Sequence, residues 1–347
     1  MSKTITLSIA LIICLLMLSS CGASSDSNKT NTTAKTVKNE ITTSDECSAG
    51  PFVFDGEDYY HNVFDYYKKQ LKVFSGKDKF NKKYEFDFSD TTFFCGSPCY
   101  NNEMYYVFSD VDTKVTDVYT IADDKLQKQF SINGIGWQKM MCEIIDGYLY
   151  YSTKTDICRI GLDGKNQKQI ITAKCPNGAE YIQFKCYNGQ IYFADENGIF
   201  SISVLGENKT NVVAQGNIDY FVVDADRIIY SAQNDVYTYD MDSKLTMNFS
   251  VGNLNLPFNV YGDSIYYATD AIYFDDNGAD RVIFILHSCN FDGTKNTELF
   301  TSPADSWYSD LSFYENKLYC SYFTEPAAIN EVIVSMDLDG SNQAKLN

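Results

Sequence analysis

Met141-Cys142-Glu143-Ile144-Ile145-Asp146-Gly147-Tyr148-Leu149-Tyr150-Tyr151-Ser152 is the stretch that decides the fold. An apolar run, Met141 to Ile145, meets the turn signal Asp146-Gly147, and a second β-type run starts at Leu149-Tyr150-Tyr151. Asp156 to Leu162 alternates as a third run, Asp163-Gly164-Lys165-Asn166 turns the chain again, and Gln169-Ile170-Ile171 is a fourth. Tyrosine preceded by a polar turn then recurs along the chain, at Tyr59, Tyr105, Tyr150, Tyr192, Tyr230, Tyr266 and Tyr319, with separations of 46, 45, 42, 38, 36 and 53 residues.

Four short antiparallel strands in each repeat of about 40–45 residues make one propeller blade. Such a unit cannot bury both of its faces alone, and radial packing against its neighbours covers them and leaves only short edges. The seven tyrosines therefore predict an all-β, seven-bladed propeller. Six blades is the alternative, if the weakly patterned first unit (Asp55-Gly56 before Tyr59-Tyr60) is not a blade. An open β-solenoid is disfavoured, because its repeats are shorter and hold fewer strands.

Ile265-Tyr266-Tyr267-Ala268-Thr269-Asp270 resembles the Tyr-Trp-Thr-Asp segment of the YWTD propellers of lipoprotein receptors. Arg159 to Asn166 and Met336-Asp337-Leu338-Asp339-Gly340-Ser341-Asn342 resemble the third strand and Leu-Asp-Gly-Ser-Asn turn of that family. The chain is most similar to the bacterial surface lipoproteins grouped as domain of unknown function 5050, over roughly residues 50–347. The resemblance implies architecture and supplies no catalytic residue. The chain departs from it in lacking the motif Trp in every repeat, in keeping the Asp only at Asp270, and in its blade count, since YWTD propellers have six.

Residues 1–20 read as a lipoprotein signal peptide. Lys3 gives a basic start, Ile5 to Met17 is almost continuously apolar, and Leu18-Ser19-Ser20-Cys21-Gly22 resembles a lipobox. The apolar run is too short to span a bilayer comfortably. Cys21 is then the lipidated, palmitate-bearing N-terminus, and its diacylglyceryl group suffices for stable anchoring, since a single acyl chain binds only marginally. Residues 21–46 form a polar linker expected to be disordered. Its length corresponds to an r.m.s. span of about 25–30 Å. Residues 47–347 hold the propeller. The expected location is the extracytoplasmic face of a bacterial cell membrane.

The formal charge is −18, and −19 once Lys3 leaves with the leader. An acidic surface of this kind repels DNA, RNA and anionic headgroups, so nucleic-acid binding is excluded. Nine cysteines remain after removal of Cys14 and lipidation of Cys21, so pairing within one chain leaves at least one thiol. Local bridges Cys95–Cys99 and Cys175–Cys186 are the candidates among residues that are otherwise small core side chains.

Only His61 and His287 could serve a His-dependent nucleophile, and His287 lies in an apolar strand pattern. There is no Gly-x-Ser-x-Gly elbow and no phosphate loop. Binding residues are instead expected 10–13 positions before the anchor tyrosines, at the loops entering each inner strand: Phe94, Trp137, Tyr181, Tyr220 and Trp307, with Tyr308 beside the last. Flat side chains at a concave mouth suit a sugar ring or a partner's side chain, and plugging the channel or packing blades is the competing role. Long loops between second and third strands should raise an acidic side of the mouth with Asp65, Asp110, Asp112, Glu325 and the insert Asp270 to Asp280. No metal or cofactor is expected. Asp275, Asp276, Asn277 and Asp280 carry the oxygen donors calcium uses, but not at EF-hand spacing.

The functional expectation is a non-catalytic, monomeric, lipid-anchored binding protein whose partner is a cell-surface protein, peptide or glycan. The alternative is a carbohydrate-active propeller hydrolase or lyase using carboxylates at the channel mouth.

Overall fold

The computed structural model describes residues 53–54, 58–65, 68–76, 82–136, 139–176, 179–275, 277–314, 316–324 and 331–346. The expected leader, lipidation site and linker, residues 1–46, lie outside them. All regular elements among the described residues are strands, thirty of them, in seven four-stranded antiparallel sheets and one two-stranded hairpin. The sheets form a seven-bladed β-propeller, so the first unit is a blade and six is excluded.

Each blade uses four strands consecutive along the chain, apart from the inserted hairpin of blade 2. Blade 1 is β1(Val53–Phe54) to β4(Lys82–Asp87), with β2(Tyr59–Asp65) and β3(Gln70–Gly76) between them. Blade 2 is β5(Thr92–Gly96), β8(Tyr106–Asp110), β9(Val115–Ala122) and β10(Lys125–Asn133). The hairpin β6(Cys99–Tyr100)–β7(Glu103–Met104) is inserted after β5, and the left-handed pair Asn101-Asn102 closes it. Blades 3, 4 and 5 begin at β11(Cys142–Ile145), β15(Phe184–Tyr187) and β19(Tyr220–Asp224). Blade 6 is β23(Leu254–Tyr261), β24(Ser264–Phe274), β25(Asp280–Asn290) and β26(Thr297–Thr301). Blade 7 is β27(Trp307–Tyr314), β28(Lys317–Phe323), β29(Glu331–Asp337) and β30(Ala344–Lys345).

The doubled aromatics follow from this layering. A central strand is buried on both faces, so successive side chains enter different blade interfaces. Tyr150 joins the core between blades 3 and 4, while Leu149 and Tyr151 join that between blades 2 and 3. Tyr266 and Tyr267 divide in the same way between the blade 6/7 and 5/6 cores. In blade 5 the residue equivalent to Tyr150, Tyr192 and Tyr266 is Ile229, because Tyr230 faces back toward blade 4. The anchor tyrosine of that unit is thus one residue out of phase, and in a strand one residue changes the face.

The Asp-Gly turns of the outer rim seat one blade on the next. Gly340 has φ +82°, and a Cβ on it would stand 2.5 Å from the carbonyl oxygen of Leu299 in blade 6. Gly293, at φ +78°, would drive a Cβ to 2.5 Å from the Phe249 ring of blade 5. Gly164 of Asp163-Gly164 approaches the outer strand of blade 2 likewise, and Gly206, in the equivalent Leu205-Gly206 turn, that of blade 3. Gly340→Ala therefore combines left-handed strain with a backbone clash, and should cost about 1–3 kcal/mol. Calorimetry of the parent and the variant checks this, and an unchanged Tm would contradict the spacer role.

Six apolar clusters fill the interfaces from blade 1/2 to blade 6/7. At the junction of blade 7 with blade 1 a buried polar contact is described. His61 Nε2 on β2 lies 2.8 Å from Glu331 Oε2 on β29, with side chains 1% and 2% exposed. Ser309 on β27 donates its hydroxyl to Glu331 Oε1 at 3.1 Å. Among the described residues neither blade lends a strand to the other, and this polar contact is one described tie across the junction.

Candidate functional site

Hydrogen bonds assign the loops to faces. The segments entering inner strands meet the loops between second and third strands: Val111 N donates to Thr91 O, Ile182 N to Thr153 O, Glu196 N to Lys174 O and Asp270 N to Asn253 O. The opposite face joins the remaining turns, as in Leu162 N to Gly147 O and Met241 N to Asp226 O. The expected grouping of loops into one face thus stands.

The expected aromatic ring on that face divides. Phe94, Tyr181 and Tyr220 are 7%, 7% and 3% exposed and belong to the cores between blades 1/2, 3/4 and 5/6. These three side chains pack blades, the competing role. Tyr308 is half-buried against the blade 6/7 core and donates its hydroxyl to Pro257 O at 2.6 Å. Trp307 opens β27, half-buried, paired with Phe323. Trp137 lies outside the described residues.

The acidic side of the mouth is largely made of carboxylates that hold their own loops. Asp65 is buried and accepts the Lys68 amide at 2.9 Å. Asp110 accepts the Thr113 amide at 2.8 Å and the Thr91 hydroxyl at 2.7 Å. The Thr113 amide, with the Thr91, Thr113 and Ser89 hydroxyls, holds the Asp110 carboxyl down at about 2, against an ordinary 3.8. A depressed carboxyl stabilises the fold above its ordinary value and loses that contribution as pH falls toward the folded one. Asp110→Ala should accordingly lower Tm at neutral pH, with the deficit shrinking between pH 3.8 and about 2. A deficit constant across a pH series of melts would contradict the charge origin. Glu325 and Asp276 lie outside the described residues.

Nor do the blade 6 oxygens gather around a vacant centre. Asp275 Oδ1 accepts the Asn277 and Ala279 amides, each at 2.9 Å, and Oδ2 accepts Arg281 Nε at 3.0 Å. Among the described residues no three His, Cys, Asp or Glu side chains group in a way that could hold a metal ion. The eight described cysteines are all thiols, so the local bridges Cys95–Cys99 and Cys175–Cys186 are not formed. Burial raises the Cys95 thiol to about 12 and removes thiolate reactivity there. His287 is half-buried, stacked on Tyr267 at 5.1 Å, with Nε2 3.0 Å from the Thr269 hydroxyl, and burial lowers its pKa.

What the face does present is a hairpin. β24 and β25 pair over eleven residues, from Ser264↔Asn290 to Phe274↔Asp280. Their pairing with the blade's other strands stops at Leu254↔Thr269 and Ile285↔Thr301. The pairs from Ile272↔Val282 onward therefore project beyond the sheet. At the tip Ile272, Tyr273 and Phe274 are 68%, 42% and 74% exposed. Three large consecutive apolar side chains at a loop tip cannot be credited to folding, and such a patch marks an interaction site. Arg281 braces the hairpin against the next loop, donating to Asp275 and, at 2.6 Å, to Asp305.

No family model matches the chain, and no curated protein matches it. Solved structures do. A variant of KlHsv2 with its loop 6CD replaced by a Gly-Ser linker matches at TM-score 0.51 and 11% identity, over 85% of this chain and 94% of that one. The extracellular domain of a protein described as a hybrid two-component system of B. thetaiotaomicron matches at TM-score 0.53 and 13% identity, over 78% of this chain and 39% of that one. A nidogen/laminin complex matches at TM-score 0.39 and 14% identity, over 68% of this chain and 90% of that one. At such identities the likeness is one of fold, and the propeller is common to unrelated functions.

Proposed function

We propose that the chain is a bacterial surface lipoprotein of the YWTD-related, domain of unknown function 5050 kind. Its leader is removed before Cys21, lipid on that residue holds it to the membrane, and its propeller binds a partner there without catalysis. The observation that carries the binding role is the projecting blade 6 hairpin with Ile272, Tyr273 and Phe274 exposed. The described histidines and most of the described mouth carboxylates are already engaged in packing, loop capping and the blade 7/1 contact, which favours recognition over hydrolysis.

The partner is a protein, peptide or glycan of the cell surface. The leash supplies proximity: a tethered module meets surface partners at an effective concentration set by linker length. Affinity capture from the native envelope tests this, using the mature protein and a form in which residues 272–282 are replaced by Asn-Gly. That turn suits the Ala271↔Ile283 pair, which would close a two-residue hairpin. The intact protein should retain a partner that the shortened one loses. Retention of the same partner by both would place recognition elsewhere, and no partner for either would remove the binding role.

A further inference from the structure

We propose that the outer edge of β24 is a strand-addition site, taking an extended, cation-flanked peptide segment of a partner protein alongside Ile272 and Phe274. The proposal rests on the binding role above and names the partner's chemistry and its mode of docking.

The register fixes which backbone groups are bare. β24 leaves β23 through the two-residue turn Gly262-Asp263, whose closing pair is Tyr261↔Ser264. Even-numbered residues of β24 therefore direct N–H and C=O toward β23, and odd-numbered ones toward β25. Asp270 N donating to Asn253 O confirms this parity. Ile272 and Phe274 are next on that edge, beyond the end of β23, so their main-chain groups have no strand to pair with among the described residues. The other edge of the hairpin is covered: Val282 O accepts the Asp305 and Ser306 amides, and Phe284 exchanges bonds with Ser302. One edge is capped and one is open.

An open edge beside exposed apolar side chains is a template for another strand, and proteins ordinarily block such edges with Lys, Pro or a bulge. None of these stands at 270–274. Ile272 and Phe274 point to one side of the ribbon and Tyr273 to the other, so an added strand would meet apolar contacts on both faces.

Charge selects the occupant. In residues 270–281 four aspartates against one arginine leave −3, and Arg281 is already shared by Asp275 and Asp305. A second copy of this chain would bring the same acidic tip to the same edge, and an anionic bilayer would be repelled too. A segment with alternating apolar residues and Lys or Arg at its ends satisfies both the edge and the rim.

The test uses the mature chain and a panel of short synthetic peptides with Val, Ile, Tyr or Phe at alternate positions, flanked by Lys or by Asp. Lys-flanked members should bind and slow amide exchange at Ile272 and Phe274. Backbone N-methylation of alternate peptide residues should weaken binding roughly tenfold or more, as should Ile272→Pro, which removes a donor from the bare edge and none from the β24–β25 ladder. Phe274→Ser should weaken it by several-fold through lost apolar contact. No protection of these amides by any member would overturn the proposal, as would equal binding of methylated peptides, or the hairpin variants altering vesicle or self-association instead. The envelope capture can succeed in each of these cases, so strand addition can fail while the binding role stands.

Discussion

Glu331→Ala should lower the stability of the propeller by about 3–5 kcal/mol, the range for removing one partner of a buried ionisable pair. For a domain of this size that corresponds to a fall in Tm of roughly 5–8 °C. The carboxylate is buried between His61 Nε2 at 2.8 Å and the Ser309 hydroxyl at 3.1 Å, and its loss leaves both without that acceptor in a place water does not reach. The effect is magnified by topology. Among the described residues every blade is completed by its own chain segment, and no strand of blade 1 pairs into blade 7. Amide exchange in β2 and β29 should rise before exchange in the apolar interfaces. A paired change, His61→Leu with Glu331→Met, should recover most of the loss, because apolar replacement of a buried pair is often neutral. A single variant within about 1 kcal/mol of the parent would show that the junction is held by something else.

Cys21→Ser should move the protein from the membrane fraction to the soluble one. Acyl chains bind at about 0.8 kcal/mol per buried methylene, and two chains are needed for stable retention. Once the leader is gone, residues 22–46 are polar and supply no substitute anchor. Palmitate labelling should be lost in the variant, and the parent's mature N-terminus should begin at residue 21. A parent that keeps Met1 and carries no lipid, or a variant that still sediments with membranes, would refute the anchor.

Repetition made the architecture legible. A central blade strand is buried on both sides, so its signature is a doubled aromatic after a turn, and that pattern survives drift. Its phase is less secure, as Tyr230 and Ile229 show, because apolar neighbours on both faces look alike in sequence. The same ambiguity bears on the aromatic ring. Phe94, Tyr181 and Tyr220 stand at the expected offset, but strand ends near the axis are still core. The His61–Glu331 contact joins residues 270 positions apart, and no local signal announces it. In the hairpin, Asp270 to Asp280 stands out in sequence for its carboxylates, while the continuation of the strands past the blade is carried by the β-type runs flanking Asp275 to Asp280, Ile272-Tyr273-Phe274 and Val282-Ile283-Phe284.

Photo-crosslinking in the intact cell envelope tests the account most directly. A photoreactive side chain at Tyr273, on the hairpin tip, is compared with one at Asp263, the exposed turn at the other end of the same strand. The account predicts a discrete adduct from position 273 and none from position 263. An adduct from 263 alone, or none from either, would contradict a partner docked on the hairpin face.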